Sequence, residues 1–218
     1  RAGAGFPTLR FMRFVVTVFV LWLGLAWIAP GLHATTVVPP EFPELVSASD
    51  YIVRGRVTNI AYETRPHRGR AVIHTRVTLE VLEVVAGNPP QMVVLTMLGG
   101  RTADGEMRVA GVPTFAVGDE DILFVKDNGK NFHPLHGIMH GRYPVKRDKA
   151  TGREYVTRSN GVPLTDVAEV TLPMSDGPAT ALQRRLRLAS EALSVEQFVT
   201  AVRQTRAAKN PEGRRHAK

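Results

Sequence analysis

Hydrophobic and polar residues alternate along two long stretches near the start of the chain, which is the pattern of half-buried β-strands. The first stretch is "YIVRGRVTNI", from Tyr51. The second is "AVIHTRVTLEVLEVVAG", in which every second residue from Ile73 to Val81 shares one face. Near its end Leu82 and Val84 become the apolar positions. A change of face within one strand predicts a bulge, which is how a sheet bends into a barrel or passes between packed layers.

Further apolar runs predict the remaining strands. "QMVVLTML" is apolar on both faces, which favours a central strand, and "DILFV" is typical of a buried strand. Asn128 and Gly129 predict a tight hairpin after it. The next strand is expected to begin at Phe132 and to run through a cluster of histidines. Later, "YPVKRDKATGREYVTRS" predicts a hairpin with its tip at Lys149 to Gly152.

Helical patterns occur at the two ends of this region. Pro43 predicts the first turn of a short helix that points Leu45 and Val46 to the core. Near the C-terminus two helices are expected, the first with Leu182, Leu186, Ala189 and Leu193 on one face. The second begins at a capping box formed by Ser194 and Gln197, and carries Val195, Phe198, Val199 and Val202 inward. The predicted fold is mainly β, a small barrel or sandwich, with a short N-terminal helix and a two-helix C-terminal segment.

The start of the chain has the layout of a signal peptide. Met12 is the first candidate start, followed by Arg13 and an uncharged apolar run from Phe14 to Ala29. We expect cleavage after Ala34, so that 1–34 is a signal peptide and 1–11 lies upstream of the true start. Export to the periplasm or the extracellular space is then expected, and the alternative is an uncleaved N-terminal membrane anchor. The predicted domains are a β-barrel-like domain at 35–172 and a basic helical segment at 173–218.

Composition narrows the chemistry. The 218 residues carry a formal charge of +8, with arginine-dense runs near the C-terminus, and they include no cysteine. An exported domain without cysteine has no disulfides, no thiolate nucleophile and no cysteine-containing zinc site. The chain also lacks the H-E-x-x-H, G-x-S-x-G and Walker-type motifs. The residues therefore nominate no catalytic, cofactor-binding or metal-ligating side chain.

Two clusters nevertheless offer possible ligands. The acidic triplet Asp119 to Asp121 directly precedes a buried strand and is expected to form a polar turn. His133, His136 and His140 lie within eight residues, in "FHPLHGIMHG". On a regular strand His136 and His140 would lie about 13 Å apart, so a shared metal site requires a bend at Gly137. The prediction is a closing β-strand with such a bend, and a metal-dependent or hydrolytic enzyme that uses the three histidines is the alternative.

The order of several blocks resembles a group of uncharacterised exported bacterial proteins. These blocks are "LVSASDYIVRGRVTNI", "HTRVTLEVLEVVAGNPP", "TMLGG", "VAGVPTFAVGDEDILFV" and "HGIMHGRYPV", and they span about residues 44 to 146. The same succession is similar, more distantly, to netrin-like and TIMP-like domains. That similarity implies an OB-like barrel with flanking helices, engaged in protein binding or protease inhibition. Those domains usually carry disulfides, and the TIMP mechanism needs an N-terminal cysteine that this chain does not have.

The resemblance also bears on the histidines and on function. His140 stands where the group's closing pattern has a glutamine, a poor zinc ligand. The predicted function is an exported noncatalytic binding module of the cell envelope or extracellular space, which needs no cofactor and whose partner is a protein or an envelope component. A nucleic-acid-binding OB barrel is the other alternative. Export and the small number of aromatic residues available for base stacking argue against it.

Overall fold

A computed structural model of the protein describes residues 38–67, 70–103, 105–174 and 189–209. All of them belong to one compact unit. The expected signal peptide at 1–34 lies outside the described residues, as do Leu182 and Leu186 of the first C-terminal helix. None of the helices in the described ranges is long and apolar enough to cross a membrane.

The described chain is mainly β, as predicted. Two α-helices flank the strands, α1 at Phe42–Ala48 and α2 at Val195–Lys209. Two short 3₁₀ helices lie at Ile138–Gly141 and Val167–Thr171. The strands are β1 Tyr51–His67, β2 Arg70–Ala86, β3 Met92–Leu98, β4 Gly100–Thr102, β5 Gly105–Met107, β6 Glu120–Val125, β7 Arg142–Arg147 and β8 Glu154–Val156.

Six of the strands form one antiparallel sheet in the order β3-β2-β1-β6-β7-β8, and β4 and β5 form a separate hairpin. Among the described residues β3 and β8 do not pair, so the sheet is open and the predicted barrel is not shown. The prediction that β3 is central was wrong, because β3 is an edge strand. A loop covers this edge instead: Leu98 N–H donates to the Phe132 carbonyl, and the Asn128 amide donates to the Val94 carbonyl, both at 2.9 Å.

The long β1–β2 ladder contains the predicted irregularity. Its register shifts twice near the end of β2, which leaves Leu82 and Val85 as extra residues on that strand. The bulge is therefore confirmed, but the prediction of which residues are buried beyond it was wrong. Leu82 and Val84 are 38% and 47% exposed, whereas Val85 is buried. Two closely spaced shifts change the face twice, which a single alternation pattern does not reveal.

The sheet has a hydrophobic core on each face, and alternate residues of β6 contribute to both. Ile122 and Phe124 face the core that contains the helices, while Leu123 and Val125 face the other. The second core is built mainly from the β1–β3 part of the sheet. Its buried members are Val53, Val57, Val77, Leu79, Val93, Leu95, Met97, Leu123, Val125 and Leu135.

Helix α2 packs directly on the sheet. Ser194 and Gln197 form the predicted capping box, with reciprocal hydrogen bonds of 2.8 and 3.2 Å. The four predicted inward residues of this helix are all buried, and the Phe198 ring contacts those of Phe42, Phe124 and Tyr143. The basic C-terminal segment thus contributes a helix to the core of the β-domain.

Ala189 and Leu193 do not continue a helix, contrary to the sequence pattern. Ala189 lies in a turn and Leu193 in irregular chain, where Leu193 N–H donates to the Leu164 carbonyl and the Leu193 carbonyl accepts from Val156 N–H, at 2.7 and 3.0 Å. The Arg153 guanidinium also binds the carbonyls of Ala189 and Ala192. These tertiary bonds take the backbone groups that a helix would use internally.

Candidate functional site

A cleft of about 910 Å³ opens where the chain leading into β6 separates from β1. Val57 holds that chain with two backbone hydrogen bonds, donating to Asp119 and accepting from Gly118, at 2.8 and 2.9 Å. The chain turns at Gly118, whose φ of 91° lies in the left-handed region. The preceding residues 109–115 therefore run apart from β1, and the gap between them is the cleft.

The cleft has polar lining residues and one apolar wall. Three of the six methionines in the chain, Met97, Met107 and Met139, line it together with Ile60 and Phe115. Methionine is unbranched and polarisable, so a wall that contains several of them adapts to apolar groups of different shapes. The volume lies within the range of about 300–1,000 Å³ that is typical of ligand pockets.

Charged side chains form the outer rim of the cleft on the β4–β5 hairpin. Arg101 and Arg108 are 70% and 84% exposed and share one carboxylate, Glu106, through hydrogen bonds of 2.7 Å each. These bonds, from Arg108 and then Arg101, lower the pKa of Glu106. Among the described residues of the rim, Arg101 and Arg108 therefore share the carboxylate of Glu106.

A close backbone approach positions the hairpin over the sheet. The Tyr62 ring and the Thr75 hydroxyl both lie against Gly100, where an added Cβ would sit 2.7 and 2.6 Å from them. The Thr75 hydroxyl also donates to the Gly99 carbonyl at 2.6 Å. With φ of 139° Gly100 adopts a conformation that side chains disfavour, so glycine is needed here for both reasons.

Arg142 forms the floor of the cleft and is fully engaged. Its guanidinium donates to both carboxylate oxygens of Asp121, at 2.8 and 3.2 Å, and to Asp119 at 2.9 Å. It also donates to the Thr114 carbonyl and lies 4.2 Å over the Phe115 ring. Burial raises the pKa of Asp121, and the charge of Arg142 opposes that shift. These contacts fix the wall at 114–119.

The acidic triplet was expected to be a polar turn, and only part of it is. Asp119 ends the turn, whereas Glu120 and Asp121 belong to β6, where Asp121 is fully buried. Glu120 binds the guanidinium groups of Arg54 and Arg56. The three carboxylates therefore bind arginines of neighbouring strands.

The histidine segment does not form the predicted strand. Leu135 makes one isolated bridge to Val125, after which the chain turns at Gly137 with φ of 65° and enters a 3₁₀ helix. The Gly137 bend was predicted, and the helical turn after it was not. Gly141 allows the turn to close, because an added Cβ would lie 2.5 Å from the His136 carbonyl oxygen.

The three histidines differ in burial and in hydrogen bonding. His133 is 5% exposed and accepts a hydrogen bond from Leu135 N–H, and His140 is 2% exposed and bonds to the backbone at Val170. Burial lowers the pKa of each to about 4, and it also lowers the pKa of half-buried His136. Within the described ranges no group of three or more histidines and carboxylates is arranged to hold a metal ion.

The cleft was not found by sequence reasoning. The long glycine-rich connection between β3 and β6 carries no motif that indicates a cleft, and Gly100 and Gly105 lie in its two short strands. The three methionines lie on different elements, and Arg142 carried no local signal of burial. The one available sign was the length of the connection, since long loops in compact domains are often functional.

Comparisons with protein-family models, with curated proteins and with solved structures each find no match to this chain.

Proposed function

We propose that the protein is a noncatalytic binding module that receives part of its partner in the cleft beside β1. The observation that carries this proposal is the cleft itself: about 910 Å³ of space with a methionine-rich wall and a charged rim. A few polar groups around an adaptable apolar wall are typical of ligand sites. The partner is a protein or an envelope component.

The environment of the histidines supports a noncatalytic role. A general base works best with a pKa near the operating pH and with a nitrogen that reaches the substrate. His133 and His140 have a pKa of about 4 and are almost entirely buried. They serve as packing residues of the turn around Gly137, and this argues against an enzyme that uses the cluster.

We also propose that the sheet is an OB-like barrel, closed by the loop at 126–134. The two hydrogen bonds from this loop to β3 support this architecture, because they join the chain after β6 to the far edge of the sheet. The bulges in β2 support it further, since bulges increase the coiling that a barrel needs. Kinship with the netrin-like and TIMP-like domains stays a prediction.

Export is part of the proposal and rests on the layout of 1–34. Expression of the full chain in a bacterial host tests it by fractionation and by mass spectrometry of the exported product. A product that begins at Thr35 is expected. A chain that retains 1–34 in the membrane fraction would support the anchored alternative, and a cytoplasmic product would contradict export.

Two matched variants test the binding function. Met107 is half-buried in the cleft, whereas Met92 is 62% exposed at the start of β3 and does not line the cleft. Met107→Lys places a charge in the apolar wall, and Met92→Lys makes the same change elsewhere. Immobilised wild type and Met92→Lys are expected to retain the same component from envelope or extracellular extract, and Met107→Lys to lose it. Equal retention by all three, or by none, would overturn the proposal.

A further inference from the structure

β1 loses its neighbour on one side halfway along its length. It pairs with β6 only from Tyr51 to Arg56, and Val57 then makes the last two bonds to the chain before β6. On its other side β1 stays paired with β2 as far as His67. In the part of the chain that the structure describes, no strand pairs with the β6 side of β1 beyond Val57.

The unpaired part of β1 lies at the cleft. Ile60 and Tyr62 line the cleft, and Tyr62 forms a cross-strand row with Thr75 and Met97, so the cleft covers the sheet face beside the unpaired edge. The opposite wall at 109–115 is irregular chain. A strand edge presents alternating N–H and carbonyl groups, which are the groups that pair with another extended chain. An open strand edge therefore adjoins a cleft that has an apolar wall.

We propose that an extended segment of a partner polypeptide adds to this edge of β1 as a further strand. This inference rests on the proposed binding function and names the class of partner. Main-chain hydrogen bonds to β1 provide the common part of the affinity, and alternate side chains of the segment enter the methionine-lined wall. The added strand continues the line of β6 beyond Val57, where the protein's own chain turns away.

The charged residues of the rim determine which side chains the partner segment should carry. Arg101 and Arg108 are largely exposed, so each guanidinium can donate to an acidic residue of the partner in addition to Glu106. Arg56 is also half-exposed at the point where β6 ends its pairing, and it shares Glu120 with Arg54. The matching segment alternates apolar and acidic residues. A lipid would fill the apolar wall but would make no use of the strand edge of β1.

Synthetic peptides test this with the full chain. The probe is a fluorescein-labelled decapeptide of alternating leucine and glutamate, followed by fluorescence anisotropy. Two comparison peptides have lysine in place of glutamate, or N-methyl groups on alternate backbone nitrogens. We expect binding of the first peptide, about tenfold weaker binding of the N-methylated peptide whose methyl groups face β1, and weaker binding of the lysine peptide. Hydrogen exchange of the amides in 59–63 is expected to slow when the first peptide is bound.

The variants separate this inference from the binding function. Met107→Lys is expected to weaken binding of the leucine–glutamate peptide. Met92→Lys is expected to leave the affinity for this peptide unchanged. If Met107 governs retention of the partner but N-methylation changes nothing, the strand-addition inference fails and the binding function stands. No peptide binding at millimolar concentration, or binding only to anionic phospholipid vesicles, would also overturn the inference.

Discussion

The guanidinium of Arg142 binds both carboxylate oxygens of Asp121 across the β6–β7 pair, with Arg142 7% exposed and Asp121 fully buried. The same guanidinium reaches Asp119 and Thr114, on the chain that leads into β6. One cation thereby connects the sheet to the outer wall of the cleft. Stability and the shape of the cleft consequently depend on the same ion pair.

Removal of one member of this ion pair should strongly destabilise the fold. Arg142→Met leaves a buried carboxylate without its partner, and about 3–5 kcal/mol of unfolding free energy is expected to be lost. The double variant Arg142→Met/Asp121→Leu removes both charges and should recover a large part of that loss. Urea denaturation of the wild type, both single variants and the double variant forms the double-mutant cycle.

An exposed arginine provides the control for that cycle. Arg101→Met also breaks ion pairing, but with Glu106 on the solvent-exposed rim, where ion pairs contribute little. Its stability should stay close to that of the wild type. Additive losses in the Arg142 and Asp121 single variants would show that the two side chains do not stabilise each other.

Acid should destabilise the fold through its buried histidines. The pKa of His133 and of His140 is about 4 in the folded chain and near 6.5 when unfolded. Between these values the unfolded state binds protons that the folded state does not, so stability falls as pH falls from 6.5 to 4. Each histidine accounts for roughly 2–3 kcal/mol over that window.

The variant His140→Gln isolates one of these protons. Glutamine is neutral at every pH in this range. The change in unfolding free energy between pH 7 and pH 4 should therefore become smaller by the contribution of one histidine. Urea denaturation at intervals of half a pH unit measures it. An unchanged pH dependence in His140→Gln would mean that this imidazole titrates in the folded chain as it does in the unfolded one.

The sequence predicted best where the pattern is local. The capping box at Ser194, the inward face of α2 and the β7–β8 hairpin all follow from residues within a few positions of each other. The alternation in β2 also predicted the buried residues Val77 and Leu79. In each case the local pattern and the tertiary environment favour the same structure.

Predictions were wrong where distant groups decide the structure. β3 was expected to be central because it is apolar on both faces, but its outer side is covered by the loop that contains Asn128 and Phe132. Leu193 fits a helical face, yet its backbone pairs with Val156 and Leu164. The cleft depends on where the chain before β6 leaves β1, which no local pattern records.

Arg206 links the two helices and should contribute more to stability than its partial exposure indicates. Its guanidinium donates to the carbonyls of Val46, Ser47 and Ser49 at the end of α1, at 2.7 to 3.1 Å. A cation at a helix C-terminus satisfies carbonyls that have no partner within the helix. Arg206→Met is expected to lower the unfolding free energy by about 1–3 kcal/mol.

Arg203, one turn earlier in α2, provides the matched control. It binds Glu83 and the Val84 carbonyl and is half-exposed. Arg203→Met should cost less than Arg206→Met in thermal unfolding. Hydrogen exchange should also become faster at the end of α1 in Arg206→Met alone. Equal losses in the two variants would contradict a specific role for Arg206 at this helix end.

Gly141 tests whether the histidine turn is a packing device. Its φ is not in the left-handed region, so alanine meets no conformational penalty there, but the added Cβ would lie 2.5 Å from the His136 carbonyl oxygen and 3.0 Å from its nitrogen. Backbone cannot move aside as a flexible side chain can. Gly141→Ala is therefore expected to lose about 2–3 kcal/mol, as overpacked sites do.

The comparison is Gly152→Ala at the tip of the β7–β8 hairpin. Gly152 has φ of 72° with open space around it, so alanine there meets only the conformational penalty of the left-handed region, about 1 kcal/mol. Urea denaturation should rank Gly141→Ala as the more destabilised variant although its φ is ordinary. The opposite ranking would mean that the turn relaxes around the added methyl group, and that close approach of His136 to Gly141 is not needed for the fold.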